Sequence, residues 1–230
     1  MRIAPIVAAA LLAVSTVASG EYQYVGSGPQ SAKVLVEFSD GTAYAFGVSF
    51  RDPSTTGIGL MDIIEAGTTL TTLRVDDPYF GTYIDGISYK GHSNSGYGGG
   101  ELYWHYWTKE PAADWVWSMV GASSRVVADG CADGWVYGRD GAPRLPGDAN
   151  GDLAVGTGDL SIMASNWMTG GGKTWADGDF NGDGAVGTGD LALLATNWMF
   201  GQMPAPAPIP EPATLLFLAA GLAVLRRRGC

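Results

Sequence analysis

The chain has 230 residues and a formal net charge of −10, with 23 acidic against 13 basic side chains. So negative a surface repels nucleic acid and anionic membrane, which excludes both as charge-matched partners, and it suits divalent cations instead. The length holds one ordinary domain and a small second unit once the terminal segments are set aside.

Residues 1–20, MRIAPIVAAALLAVSTVASG, combine Arg2, an apolar run from Ile3 to Val14, and small residues Ala18 and Gly20 ahead of Glu21. This is the pattern of a secretory signal peptide, so the remainder is expected to cross a membrane. The two cysteines, Cys131 and Cys230, then face an oxidising compartment. Cys230 is the last residue, beyond an apolar segment, and no disulfide between the two is expected.

Residues 21–143 read as an α+β domain, one helix on a mostly antiparallel sheet. KVLVEFSDGTAYAFGVSF alternates around Asp40-Gly41, which predicts a hairpin with Val34, Val36 and Phe38 on one face and Tyr44, Phe46, Val48 and Phe50 beyond the turn. GLMDIIEAG (59–67) predicts a helix ending at Gly67. TLRVDD, TYIDGISYKG, ELYWHYWTK, WVWSMV and GWVYG follow as strands separated by glycine-rich turns, and His92 falls in the flexible run KGHSNSGYGGGE.

Groups that could do chemistry are few here. Cys131 and His105 would make a nucleophile pair if the fold joined them; a structural cysteine and a sheet-face histidine are the simpler reading. Asp76, Asp77, Asp129 and Asp133 could serve as glycosidase carboxylates, but they read more simply as turn and cap residues beside glycine. On the strand 102–107, Trp104 and Tyr106 face one way and Tyr103, His105 and Trp107 the other. Either both sets are core, or the second forms an aromatic platform able to stack on sugars or a corrin-like ring.

The order of hairpin, helix and strands, with Tyr83-Ile84-Asp85-Gly86-Ile87, Tyr103-Trp104-His105-Tyr106-Trp107, Gly121-Ala122, Asp129-Gly130 and Gly134-Trp135, resembles the transcobalamin C-terminal-like β-grasp family. That resemblance implies a surface ligand such as cobalamin, without assigning it to named atoms.

Residues 148–167, DANGDLAVGTGDLSIMASNW, recur as DFNGDGAVGTGDLALLATNW at 179–198, an offset of 31 residues. Seven aspartates lie within 148–190 with only Lys173 to oppose them. A 12-residue calcium loop supplies oxygens from positions 1, 3, 5, 7, 9 and 12, position 7 through its carbonyl. In the first loop these are Asp148, Asn150, Asp152, Ala154, Gly156 and Asp159; in the second, Asp179, Asn181, Asp183, Ala185, Gly187 and Asp190. Glycine at position 9 leaves that ligand to water. Position 6, where the chain turns sharply, is Gly184 in the second loop but Leu153 in the first, so the first is expected to be strained or weaker. Leu160, Ile162, Met163 and Trp167 then fall on one helical stripe, as do Leu191, Leu193, Leu194 and Trp198, and two such helices can bury the stripes against each other.

D-x-N-x-D-x-x-V-G-x-x-D-L, present twice, resembles a type I dockerin over residues 147–200. The resemblance implies a small all-α module at 144–200, two Ca2+ sites, and docking onto a cohesin-like domain through loop positions 10 and 11, here Thr157, Gly158, Thr188 and Gly189. A calcium-stapled spacer without a cohesin partner is the alternative.

Residues 201–212 form a proline-rich spacer, and ATLLFLAAGLAVL (213–225) leads into Arg226, Arg227 and Arg228. The apolar run is shorter than the roughly 20 residues of a comfortable membrane span. Pro210-Glu211-Pro212, the run and the arginines, in that order, resemble a PEP-CTERM sorting signal. It implies an exosortase-like sorting transpeptidase as a partner, membrane attachment only through the tail at 213–230 before processing, and a final place at the cell surface or in the extracellular matrix; a plain tail anchor is the alternative. Together these readings describe a secreted noncatalytic protein, with a dockerin-bearing polysaccharide-acting enzyme and a purely structural matrix protein as rivals.

Overall fold

The computed structural model describes residues 23–78 and 81–201. The signal-peptide segment, the Pro-Glu-Pro spacer beyond Gly201 and the apolar tail lie outside the described residues. The fold is α+β, and among the described residues nine strands form two sheets.

The larger sheet begins with β1 (Gln23–Gly26), β2 (Gln30–Glu37) and β3 (Ala43–Phe50). Its other strands are β7 (Trp104–Lys109), β8 (Val116–Trp117) and β9 (Ala132–Tyr137). Their order is β1-β3-β2-β9-β7-β8, with β1–β3 and β2–β9 parallel and the other pairs antiparallel. The expected hairpin is β2–β3, in which Val34 opposes Phe46 and Val36 opposes Tyr44. At its turn Asp40 Oδ1 accepts the Thr42 N–H.

Helix α1 spans Gly57–Gly67, starting two residues before the sequence prediction because Thr56 Oγ1 accepts the Gly59 N–H and caps the first turn. Leu60, Met61 and Ile64 lie in one apolar cluster with Val34, Phe46, Val48 and Trp135 on the first face of the sheet. A second sheet, β4 (Thr71–Asp77), β5 (Gly81–Tyr89) and β6 (His92–Ser95), is an antiparallel meander that adds Ile84, Ile87 and Tyr89 to the same cluster. Arg74 ties this sheet to the helix by ion pairs to Asp62 and Glu65. Two expectations change. His92 belongs to β6, where its Nδ1 lies 2.7 Å from Asp40 Oδ2, rather than to a flexible run. The strand expected at WVWSMV pairs over only two residues.

The other face of the larger sheet is covered too. Leu35, Ala43, Ala45 and Ala132 share a second cluster with Leu145, Leu153, Val155, Met163, Val186, Leu194 and Phe200. Small side chains on β3 let the repeat segment approach the sheet closely. This segment carries α2 (Thr157–Ser165), a 3-10 turn at Trp175–Asp177 and α3 (Thr188–Thr196). Alternation along β2 places Lys33, Leu35 and Glu37 on this same face. Glu37 is buried and accepts from Arg139 Nε and Nη2, at 2.7 and 2.6 Å, and from the Arg144 N–H, which fixes the chain as it leaves the sheet. Removing one partner of a buried bidentate pair leaves the other short of partners, so Glu37→Ala is expected to lower stability by about 2–3 kcal/mol in urea unfolding.

Candidate metal loops and an aromatic groove

The two repeats have matching hydrogen bonds, position for position. Asp148 Oδ1 accepts the Gly151 and Asp152 N–H groups and Oδ2 accepts that of Leu153. Asp179 does the same with Gly182, Asp183 and Gly184. Asp159 Oδ1 collects the Ala149 and Asn150 N–H groups and Oδ2 that of Gly156; Asp190 repeats this with Phe180, Asn181 and Gly187. The position-12 aspartate is thus also the third residue of the following helix, bonded back to the residue before its start. One side chain closes the loop and begins the helix.

These four carboxylates are 1–4% exposed. Among the described residues none has a Lys, Arg or His ion-pair partner. Burial pushes the Asp148 carboxyl up to about 7, with the charges of Asp152 and Asp159 adding to it. A buried anion held by amides alone still carries a desolvation cost of several kcal/mol, which a cation offsets. Asn150, Asp152, Asn181 and Asp183 are exposed at the mouths of the loops, and Ala154 and Ala185 are half-buried at position 7. No three His, Cys, Asp or Glu side chains among the described residues converge as a preformed metal cluster, and the position-5 aspartates accept the Ala154 and Ala185 N–H groups. The implied donor set is completed by asparagine and main-chain oxygens. All-oxygen and anionic, it fits a hard divalent cation such as Ca2+.

The loops also explain the duplication. Val155, position 8 of the first loop, donates to Phe200 O and accepts from the Met199 N–H; Val186, its equivalent, donates to Thr169 O and accepts from the Met168 N–H. Each loop is bridged to the residues following the other repeat's helix. Helix–helix packing is a smaller part than the stripes suggest: Met163 and Leu194 are buried, but Leu160, Trp167, Leu191 and Trp198 remain partly exposed.

Leu153 has φ +62°, against +84° for Gly184. The left-handed conformation costs a non-glycine residue about 1–2 kcal/mol. Its side chain, however, is buried against the sheet, which contributes about 1.5–3 kcal/mol. Burial offsets the strain, and the departure from glycine docks the loop. Gly158 and Gly189 also have a structural reason: a Cβ there would stand 3.0 and 2.9 Å from the Asn150 and Asn181 amide nitrogens.

In the domain ahead of the loops, Cys131 and His105 are not brought together. His105 pairs across the sheet with Val136, while Lys109, four residues further along β7, pairs with Ala132, next to Cys131. Four strand residues span roughly 13 Å. Cys131 donates to Glu110, and His105 is buried and stacks on Tyr103 at 3.9 Å, while Tyr103 and Trp107 on the same face are half-buried. Asp133 is not a turn residue: it lies on β9, fully buried, accepting from Tyr106 OH at 2.6 Å and Arg125 Nε at 2.8 Å. Burial raises its pKa, with both hydrogen bonds opposing the shift. Asp129 accepts from the Ser31 backbone and hydroxyl, and Asp76 from Thr82.

A hollow of about 570 Å³ lies between the two sheets and is lined by Tyr83, Tyr103, Trp104, Tyr106, Trp135 and the segment Trp117–Ala122. Trp117, Met119 and Val120 stand exposed at its rim. Its volume and aromatic walls suit a small ligand with flat apolar faces.

Comparison with protein-family models, with curated proteins and with solved structures finds no match for this chain.

The Asp133 network joins β7, β9 and the 110–126 connection beneath this hollow. Tyr106→Phe removes a hydrogen bond to a buried charge and is expected to cost about 2 kcal/mol in chemical denaturation.

Proposed function

We propose that the chain is a secreted, noncatalytic surface protein in which a calcium-binding, dockerin-like pair of loops is seated on an α+β ligand-binding domain. The observation that carries this reading is the pair of equivalent loops, each closing on two buried aspartates that make no ion pair among the described residues. Ca2+ bound through Asp148, Asn150, Asp152, the Ala154 carbonyl and Asp159, and through Asp179, Asn181, Asp183, the Ala185 carbonyl and Asp190, would supply the missing charge. The protein's own residues then hold the helix starts and bridge the repeats. Attachment follows from the exposed helix faces, with a cohesin-like domain as the partner class, and from sorting of the C-terminal tail by an exosortase-like transpeptidase. The aromatic hollow is where the first domain would take a glycan or cobalamin-like ligand.

The metal reading is tested on the full chain by thermal melts. At a hundredfold excess of calcium over Kd, each filled site is expected to raise the melting temperature by about 5–10 °C. Chelator should reverse the rise, and Asp179→Ala with Asp190→Ala should remove the second site's share. Melts indifferent to calcium and to chelator would refute the reading. Quenching of tryptophan fluorescence by cobalamin, or its perturbation by soluble glycans, tests the hollow; loss of the signal in Trp117→Ala places the ligand there.

A further inference from the structure

The two loops differ in what holds their outer turn. In the second, the position-6 carbonyl, Gly184 O, accepts two neutral donors, the Gly172 and Lys173 N–H groups. In the first, the position-5 and position-6 carbonyls, Asp152 O and Leu153 O, accept from the Lys33 ammonium at 2.9 and 3.1 Å. Lys33 comes from β2, and its backbone is fixed between β3 and β9 opposite Gly47 and Ala132. Its position is therefore set by the sheet, and Leu153 seats the loop against that sheet. Other charges nearby are engaged: Lys109 donates to the Ala113 carbonyl, Glu110 pairs with Arg125, Lys173 Nζ donates to Asn166 Oδ1, and Arg144 lies over the Trp175 ring.

We infer that Lys33 is an affinity-setting residue of the first loop: its fixed positive charge lowers that loop's affinity for a divalent cation, so the second loop fills first. The inference rests on the calcium reading above. The ammonium holds the loop's shape in the absence of metal and repels the metal once it enters. A unit charge held at the turn of a partly buried site acts through less water than a surface charge does, and salt screens it poorly. The first loop's affinity is thereby coupled to its seating on the N-terminal sheet, and the second loop's is not.

Calorimetric titration of the full chain with calcium tests this. The wild type should show two steps, with the weaker lost in Asp148→Ala and the tighter lost in Asp179→Ala. Lys33→Met should tighten the weaker step about tenfold and leave the tighter one in place, while Lys33→Arg keeps the wild-type order. Measuring Lys33→Gln in an Asp190→Ala background isolates the first loop and repeats the test with a second neutral side chain. Two steps that neither neutral variant alters, or a change confined to the tighter step, would overturn the role of Lys33 while leaving the calcium reading intact. No calcium uptake by the wild type would overturn both.

Discussion

Four carboxylates are buried, and the arrangement of the repeat segment follows from that. Asp148, Asp159, Asp179 and Asp190 gather the N–H groups of their loops, fixing each turn, and the position-12 aspartates cap the helices that follow. The same burial removes the solvation that an anion needs. Hydrogen bonds from amides recover part of this cost, and under the proposed reading a divalent cation among the remaining oxygens would recover the rest. One loop could not hold this arrangement alone. The Val155 and Val186 bridges make each loop's centre depend on the residues after the other helix, so the repeats close as a pair.

Strand β2 joins this pair to the rest of the protein. Its two faces have different tasks: Val34 and Val36 face the helix and the second sheet, while Lys33, Leu35 and Glu37 meet the repeat segment. Charged contacts flank an apolar centre, with Lys33 gripping the first loop and Glu37 holding the chain at Arg139 and Arg144. The repeat segment therefore shares a core with the sheet, and the first loop is the one seated there. The second loop is held chiefly by its partner repeat and by Trp175, whose ring packs on Phe180 and whose indole N–H reaches Asp148 O.

Local pattern made much of this readable from the sequence. Strict alternation around Asp40-Gly41 located β2 and β3, the run of helix formers at 59–67 ending in Gly67 located the helix, and the 31-residue offset located both loops. Contacts between distant segments were not readable. Nothing near Leu153 in sequence indicates that a sheet face lies opposite it, so the leucine reads as a defect when it is a docking residue. Gly158 and Gly189 read as missing side chains because only the fold places Asn150 and Asn181 over them. Asp133 looks like a turn residue beside Gly134, although pairing with β7 puts it opposite Thr108 and under Tyr106. His105 alternates as a surface residue would, but it is buried and stacked on Tyr103.

The central claim is that the twin loops are completed by calcium, and native mass spectrometry of the full chain in calcium-containing buffer tests it most directly. The account predicts two calcium ions per chain, with a one-ion species dominating at low calcium and the bare chain returning on chelation. A chain that stays free of calcium under millimolar metal while remaining folded would contradict it.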